Sequence, residues 1–367
     1  MTLPAIQVAI AVLLVGVAAG AAMHRADFCI AGAFRDLFLF RRTFMLRVLF
    51  LLVAVSMVLF DAARRLDLLP FYPFPLAGSI SAGNVVGGIL FGIGMVLAGG
   101  CVVGTLYRSG AGNVPAMAAV AGLVAGSALY AEIHPAWAGF QKASLLFPGK
   151  ATLPQVASVD PTWFVAPAAL VSGALILRWA KRGTLVRRSS VDGYLQPWAA
   201  ALALAVLGLL SWMSAGMPLG VTTSYAKAAA WIESLAVPGH YSGLAFFRAR
   251  PLDVVLPSGV PLCGGPGPSL DGIALVQFPL IAGIVAGSFL SALSLGELRV
   301  RFRVPPVQLA AALAGGAIMG LASRMAPGCN VWHVLGGLPI FSIPSILFTA
   351  GLFPGAWVGG ILMKRLV

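Results

Sequence analysis

The stretch GILFGIGMVLAGGC (88–101) aligns without a gap on GAIMGLASRMAPGC (316–329), fourteen residues each at a constant offset of 228. Gly88 falls on Gly316, Gly92 on Gly320, Gly100 on Gly328 and Cys101 on Cys329. After a slip of one residue, AGLVAG (121–126) falls on AGLFPG (350–355). Glycine and alanine recur in any membrane helix because they let backbones approach closely. A thiol directly after the same glycine in a chain of four cysteines is the more specific match, and it marks an internal repeat.

The composition names the solvent of this repeat. The chain has 59% hydrophobic residues, a mean hydropathy of +0.95 and 10% charged residues, against roughly 25% charged in soluble domains. It reads as an all-α polytopic membrane protein. Apolar runs near the ~20 residues that a helix needs to cross the hydrocarbon core recur at 4–22, 44–61, 83–100, 115–131, 162–179, 197–214, 273–294, 307–327 and 343–363. Such long uniform runs argue against a β-barrel, whose strands are short and alternating. Residues 1–7 carry no Lys or Arg, so the first run reads as a retained helix and not as a secretory signal.

A net charge of +13 could suggest a nucleic-acid partner, but the cations cluster at the ends of apolar runs, so none is assigned. The clusters are Arg35, Arg41, Arg42 and Arg47; Arg178, Lys181, Arg182, Arg187 and Arg188; Arg299, Arg301 and Arg303; and Lys364 with Arg365. The positive-inside rule places all four in the cytoplasm. Nine spans then thread with the N-terminus outside and the C-terminus inside, against which only Arg64 and Arg65 count. The whole chain, 1–367, reads as one transmembrane domain with repeat halves at about 1–131 and 273–367, linked by 132–272. Within the link, MPLGVTTSYAKAAAWIESL (217–235) has the makings of a short re-entrant or interfacial helix.

In this threading the run before Cys101 points inward and the run before Cys329 points outward, so the repeat is inverted. Many transporters place their substrate at the interface of two such halves, beside helices broken near the midplane. Cys101 and Cys329, each behind a helix-opening glycine (Gly100, Gly328), and Cys29 in HRADFCIAGAFRD (24–36) are the candidate path residues. Arg324 lies inside an apolar span, where an ionisable group is expensive and by default functional. Arg108 reads as part of a polar loop, YRSGAGN (107–113). Positive field plus thiols suits a sulfur-containing anion, because a thiol can give a weak S–H bond to a soft sulfur. Cys263, in a proline-rich segment with no repeat partner, reads as structural.

Zinc sites use closely spaced thiol pairs completed by His, and no CxxC occurs. His24 and His333 near Cys29 and Cys329 leave a copper or zinc path open, but no metal and no cofactor is assigned. There is no GxxxxGK[ST], so ATP is not the direct energy source. A membrane thiol enzyme, needing two thiols within bonding reach, and a structural subunit, indifferent to the cysteines, are the rival classes.

The segments at 25–36, 87–113, 217–226 and 323–337 (RADFCIAGAFRD, GGILFGIGMVLAGGCVVGTLYRSGAGN, MPLGVTTSYA, SRMAPGCNVWHVLGG) resemble the motifs of the YeeE/YedE family of membrane proteins. The resemblance implies an hourglass-like inverted-repeat fold, inner-membrane location, and import of thiosulfate, with selenium or other sulfur species in some branches. It implies that Cys29, Cys101 and Cys329 hand the anion along by S–H···S contacts, with Asn330 completing the Gly-Cys-Asn motif. It also implies, for some relatives, a cytoplasmic sulfur-carrier partner of the TusA type. The bulkier NVWHVLGGLPIFS (330–342) and the segment 256–270 depart from the pattern and bear on the substrate.

Overall fold

The computed structural model describes residues 2–187 and 192–366, so Arg188 of the second basic cluster lies outside the described residues. The helices are α1 (Leu3–Ala26), α2 (Ile30–Phe40), α3 (Phe44–Arg65), α4 (Ala82–Leu97), α5 (Val102–Gly110), α6 (Val114–Ala143), α7 (Leu153–Ala157), α8 (Thr162–Lys181), α9 (Pro197–Ala215), α10 (Thr222–Ala236), α11 (Pro238–Gly243), α12 (Ala245–Arg248), α13 (Gly272–Ser294), α14 (Pro306–Met325) and α15 (Ile343–Leu366). A hairpin of β1 (Leu252–Val255) and β2 (Pro261–Gly264) precedes α13, and a π-wound segment Trp332–Gly337 with a 3-10 turn Leu338–Ile340 follows α14. Among the described residues nine helical stretches are long and apolar enough to cross a membrane, one for each run read from the sequence.

Glycine packing shows the repeat directly. A Cβ on Gly88 would lie 2.2 Å from the Phe348 carbonyl oxygen, and one on Gly316 would lie 2.1 Å from that of Ala119. Shifting 88 by 228 and 119 by 229 turns the first contact into the second. Gly92 against Leu352 (2.8 Å) and Gly320 against Leu123 (2.3 Å) obey the same exchange. So α4 packs on α15 as α14 packs on α6. The two repeat helices α4 and α14 also meet each other, Gly87 against Ala326 and Gly94 against Gly315. Rising numbers on one meet falling numbers on the other, so they run antiparallel and the repeat is inverted.

Four spans are broken, each at a residue with left-handed backbone that ends one helix before another begins. These are Asp27 (φ 45°) between α1 and α2, Gly99 (φ 68°) between α4 and α5, Gly216 (φ 71°) after α9, and Gly328 (φ 131°) after α14. The α9/α10 break resembles that of α1/α2, and the packing of α1 on α13 is mirrored by that of α9 on α3.

Arg64 and Arg65, which counted against the threading, are neutralised locally. Arg64 pairs with Asp61 at 3.0 Å and Asp160 at 2.9 Å, and Arg65 with Asp61 at 3.0 Å. The link is largely ordered: α10 covers most of the stretch read as re-entrant. It is held by Lys227, which is fully buried and donates to Asp271 Oδ2 (2.7 Å) and to the Gly267 and Ser269 carbonyls (3.0 and 2.9 Å). Burial works against the Asp271 carboxylate, but the Lys227 bond and the backbone N–H groups of Ala274 and Gly265 outweigh it and hold its pKa below the usual range. Lys227→Met leaves that carboxylate without its cation, and removing one partner of a buried pair costs about 3–5 kcal/mol. Purified Lys227→Met is therefore expected to unfold at clearly lower temperature than the parent; an unchanged melting temperature would refute the staple.

Candidate functional site

The four breaks converge on one buried layer. Cys29 is the residue before α2 and Cys101 the residue before α5. Cys101 Sγ accepts from the Gly104 amide at 3.2 Å, and the Cys29 thiol donates to Cys101 Sγ at 3.6 Å. That is contact distance and not a bond, since a disulfide is about 2.05 Å long. Cys329 opens the helical turn after Gly328 and is fully buried, as is Cys101. Helices α2, α5, α10 and the turn after Cys329 all present their N-terminal ends at their breaks. Free amides and the helix dipole make such ends favourable for negative charge.

Two cavities flank this layer. One, of 1020 Å³, lies where α1, α5 and α13 end and α6, α9 and α14 begin. Arg108, Arg187, Arg299, Arg301 and Arg303 line it, against Asp27 and Glu297, giving it a positive excess. Tyr194 at its rim donates to Glu297 at 2.6 Å, a bond that pushes the phenol up to about 12. The other cavity, of 360 Å³, opens on the opposite face among Thr222, Thr223, Arg324, Gly328 and Trp332. Arg324 is its cation, and no carboxylate occurs among its described lining residues. Between the two lies an apolar void of 20 Å³ walled by Phe28, Val103, Leu219, Val221 and Val331, one or more from each break. The arrangement is a waist between two basins.

Arg324 donates to Thr222 Oγ1 and, at 3.2 Å, to Thr223 Oγ1, while its Nε has no partner among the described residues. Asn330 is fully buried, with Nδ2 4.0 Å from Met95 Sδ and Oδ1 unpartnered among the described residues. Gly328 is needed where it stands, since a Cβ there would lie 2.4 Å from Trp332 Cδ1. Gly100, read as the helix opener, is displaced by one: the left-handed turn falls on Gly99. Arg108 is corrected too. It is not in a loop but on α5, bonded to the Gly99 carbonyl, to Tyr107 Oη at 3.3 Å and to Asp27 at 3.4 Å.

Sequence reasoning missed Asp27, Thr222, Thr223 and Tyr225. The MPLGVTTSYA stretch, polar inside an apolar link, carried the signal for the last three. The histidines do not join the thiols: His24 pairs with Ser291 at 3.0 Å and His333 with Ser345 at 3.0 Å. Among the described residues the group close enough to share one ion is Glu132, Glu233 and His240, with no cysteine in it. Cys263 is exposed and donates across the hairpin to Asp253 at 2.9 Å.

A family model described as sulphur transport matches residues 25–358. Among curated proteins, the thiosulfate transporter TsuA of Spirochaeta thermophila is 31% identical over 360 residues, 96% of this chain and 98% of that protein. The thiosulfate transporter TsuA of Escherichia coli is 26% identical over 364 residues, 96% of this chain and 90% of that protein. The probable transporter YedE of Escherichia coli is 34% identical over 175 residues, 46% of this chain and 41% of that protein.

Proposed function

Because this chain belongs to the sulphur-transport family, we propose that it imports thiosulfate across the inner membrane, passing the intact anion along Cys29, Cys101 and Cys329 without chemical change. The observation that carries this reading is the convergence of four helix N-termini on three buried thiols between two cation-lined basins. A doubly charged anion loses its hydration at a waist and needs fixed positive field there. Oriented amides supply it without a buried counter-charge. The names of the two full-length relatives support thiosulfate as the cargo.

The positive-inside rule orients the path. The large basin with Arg299, Arg301 and Arg303 faces the cytoplasm, the Arg324 basin faces outward, the N-terminus is outside and the C-terminus inside. The chain acts as one transport domain: between 1–131 and 273–367, α9 and α10 serve as counterparts of α1 and α2 and extend the second half back to Pro197. The basic inner basin could receive a TusA-like sulfur carrier as acceptor.

The test is uptake of labelled thiosulfate, sulfate and selenite by cells lacking other importers. Thiosulfate is expected to accumulate. Accumulation of selenite alone would move the substrate, and no accumulation of any would remove the reading. Arg324→Gln is expected to lower thiosulfate capture roughly tenfold at low concentration, the lower end of what charge-lined clefts contribute. Normal capture would take Arg324 out of the path.

A further inference from the structure

Tyr225 lies in the first turn of α10, with 6% of its surface exposed, and its hydroxyl has no hydrogen-bond partner among the described residues. It stands one helical turn after Val221, which walls the apolar void together with Phe28, the neighbour of Cys29, and Val331, two residues after Cys329. A buried hydroxyl without a partner forfeits the hydrogen bonds it had in water, which costs about 1–3 kcal/mol, so such groups in native proteins call for an explanation. Ser224 beside it is satisfied in full, its amide and hydroxyl donating to Gln277 Oε1 at 2.9 and 3.1 Å. The first turn of α10 is therefore anchored, while the Tyr225 phenol is left open. Asn330 next to Cys329 has the same orphaned character at Oδ1.

We propose that Tyr225 is the donor that recognises the oxygen end of the passing anion, while the cysteines meet its sulfur end. This rests on the thiosulfate reading and deepens it. Thiosulfate carries three oxygens that accept hydrogen bonds strongly and one soft sulfur that accepts them weakly. Thiols alone would not distinguish it from an oxygen-free sulfur anion. A phenol O–H on the first turn of α10, at the break beside the thiol layer, gives the waist a hard donor for the oxygens, filled only while the anion passes. Sites built to hydrogen-bond a polar group reject analogues lacking it, because their own donor is then left unpaired. The inference assigns the path an oxyanion with a terminal sulfur as its substrate class, and excludes hydrosulfide.

The experiment compares the parent, Tyr225→Phe and Cys101→Ala. Thiosulfate uptake is followed against concentration, with hydrosulfide as competitor, and thermal unfolding of the purified protein is measured alongside. Losing a hydrogen bond to a charged group corresponds to roughly a ten- to hundredfold loss of affinity. Tyr225→Phe is expected to raise the KM for thiosulfate by at least about tenfold on that basis. It should leave the melting temperature equal or higher, because the hydroxyl has no partner to lose, and should make hydrosulfide a better competitor relative to thiosulfate. A KM within twofold of the parent overturns the proposal. So does a lower melting temperature, which would show that the hydroxyl is satisfied in the resting fold. If the parent itself fails to take up thiosulfate, the reading beneath falls and this proposal with it. If the parent succeeds, Cys101→Ala fails and Tyr225→Phe transports normally, only the role of Tyr225 falls.

Discussion

Replacing Cys101 or Cys329 with alanine is expected to reduce thiosulfate uptake to about a tenth of the parent or less, at equal amounts of protein in the membrane. An S–H···S bond to a neutral sulfur is weak and second-order, so the size of the effect comes from the surroundings. The thiol layer abuts an apolar void walled by Phe28, Val103, Leu219, Val221 and Val331. An anion entering there has few other side-chain donors to replace its water. A lost hydrogen bond to a charged group then costs about 1.5–3 kcal/mol, roughly 10- to 100-fold in rate. Cys101 and Cys329 occupy matched positions in the inverted halves, so the two variants should fail alike. Cys29→Ala combined with Cys101→Ala should cost less than the two separate losses added together, because those sulfurs are in contact at 3.6 Å and residues in contact couple. Normal uptake by both single variants would sink the relay.

The same 3.6 Å separation bears on the thiol-enzyme class. The spacing of Cys29 and Cys101 in sequence offers no redox pair, and only folding brings them together. Alanine substitution with uptake as readout separates the classes: transport lost with the anion recovered unchanged from the parent supports passage, and a persulfide trapped on Cys101 supports transfer chemistry.

How much of the fold is legible in the chain alone follows from the range of the interactions involved. The nine spans were legible because each is a local run of apolar residues. The inverted repeat was legible because its crossings use glycine on both sides, which leaves a fixed pattern at 228 residues. The break at Gly216 was not legible as a counterpart of Asp27: it carries no thiol, and the stretch after it read as a separate re-entrant or interfacial helix. Arg108 was misjudged because Gly110 and Gly112 follow it, whereas its three partners, Gly99, Tyr107 and Asp27, hold it on a helix. The Lys227–Asp271 pair spans 44 residues, and neither residue advertises the other. Of the path residues, the three thiols stood out by rarity, while Tyr225 is one of six tyrosines and only its unmatched hydroxyl sets it apart.

The symmetry itself makes the second large prediction. Gly88→Ala and Gly316→Ala should destabilise the protein by similar amounts, because their Cβ atoms would come 2.2 and 2.1 Å from backbone carbonyl oxygens of Phe348 and Ala119. A side chain can rotate away from an intruding methyl, but a helical carbonyl cannot. The helices must therefore separate, and the loss spreads along the α4/α15 or α14/α6 seam. Overpacking of this kind costs about 1–3 kcal/mol and occasionally more, which thermal unfolding in detergent would read as a clear fall in melting temperature. Valine at either position should prevent accumulation of folded protein. Gly139 is the internal control: it lies within α6, and a Cβ there would meet nothing within 4 Å among the described residues. At that position alanine should stabilise by about 0.4–1 kcal/mol, since it restricts the unfolded chain without a clash. Equal losses at the paired glycines and a gain at the control would tie stability to the close crossings and not to helix propensity. A harmless Gly88→Ala beside a damaging Gly316→Ala would break the equivalence of the two halves on which the placement of Cys101 opposite Cys329 depends.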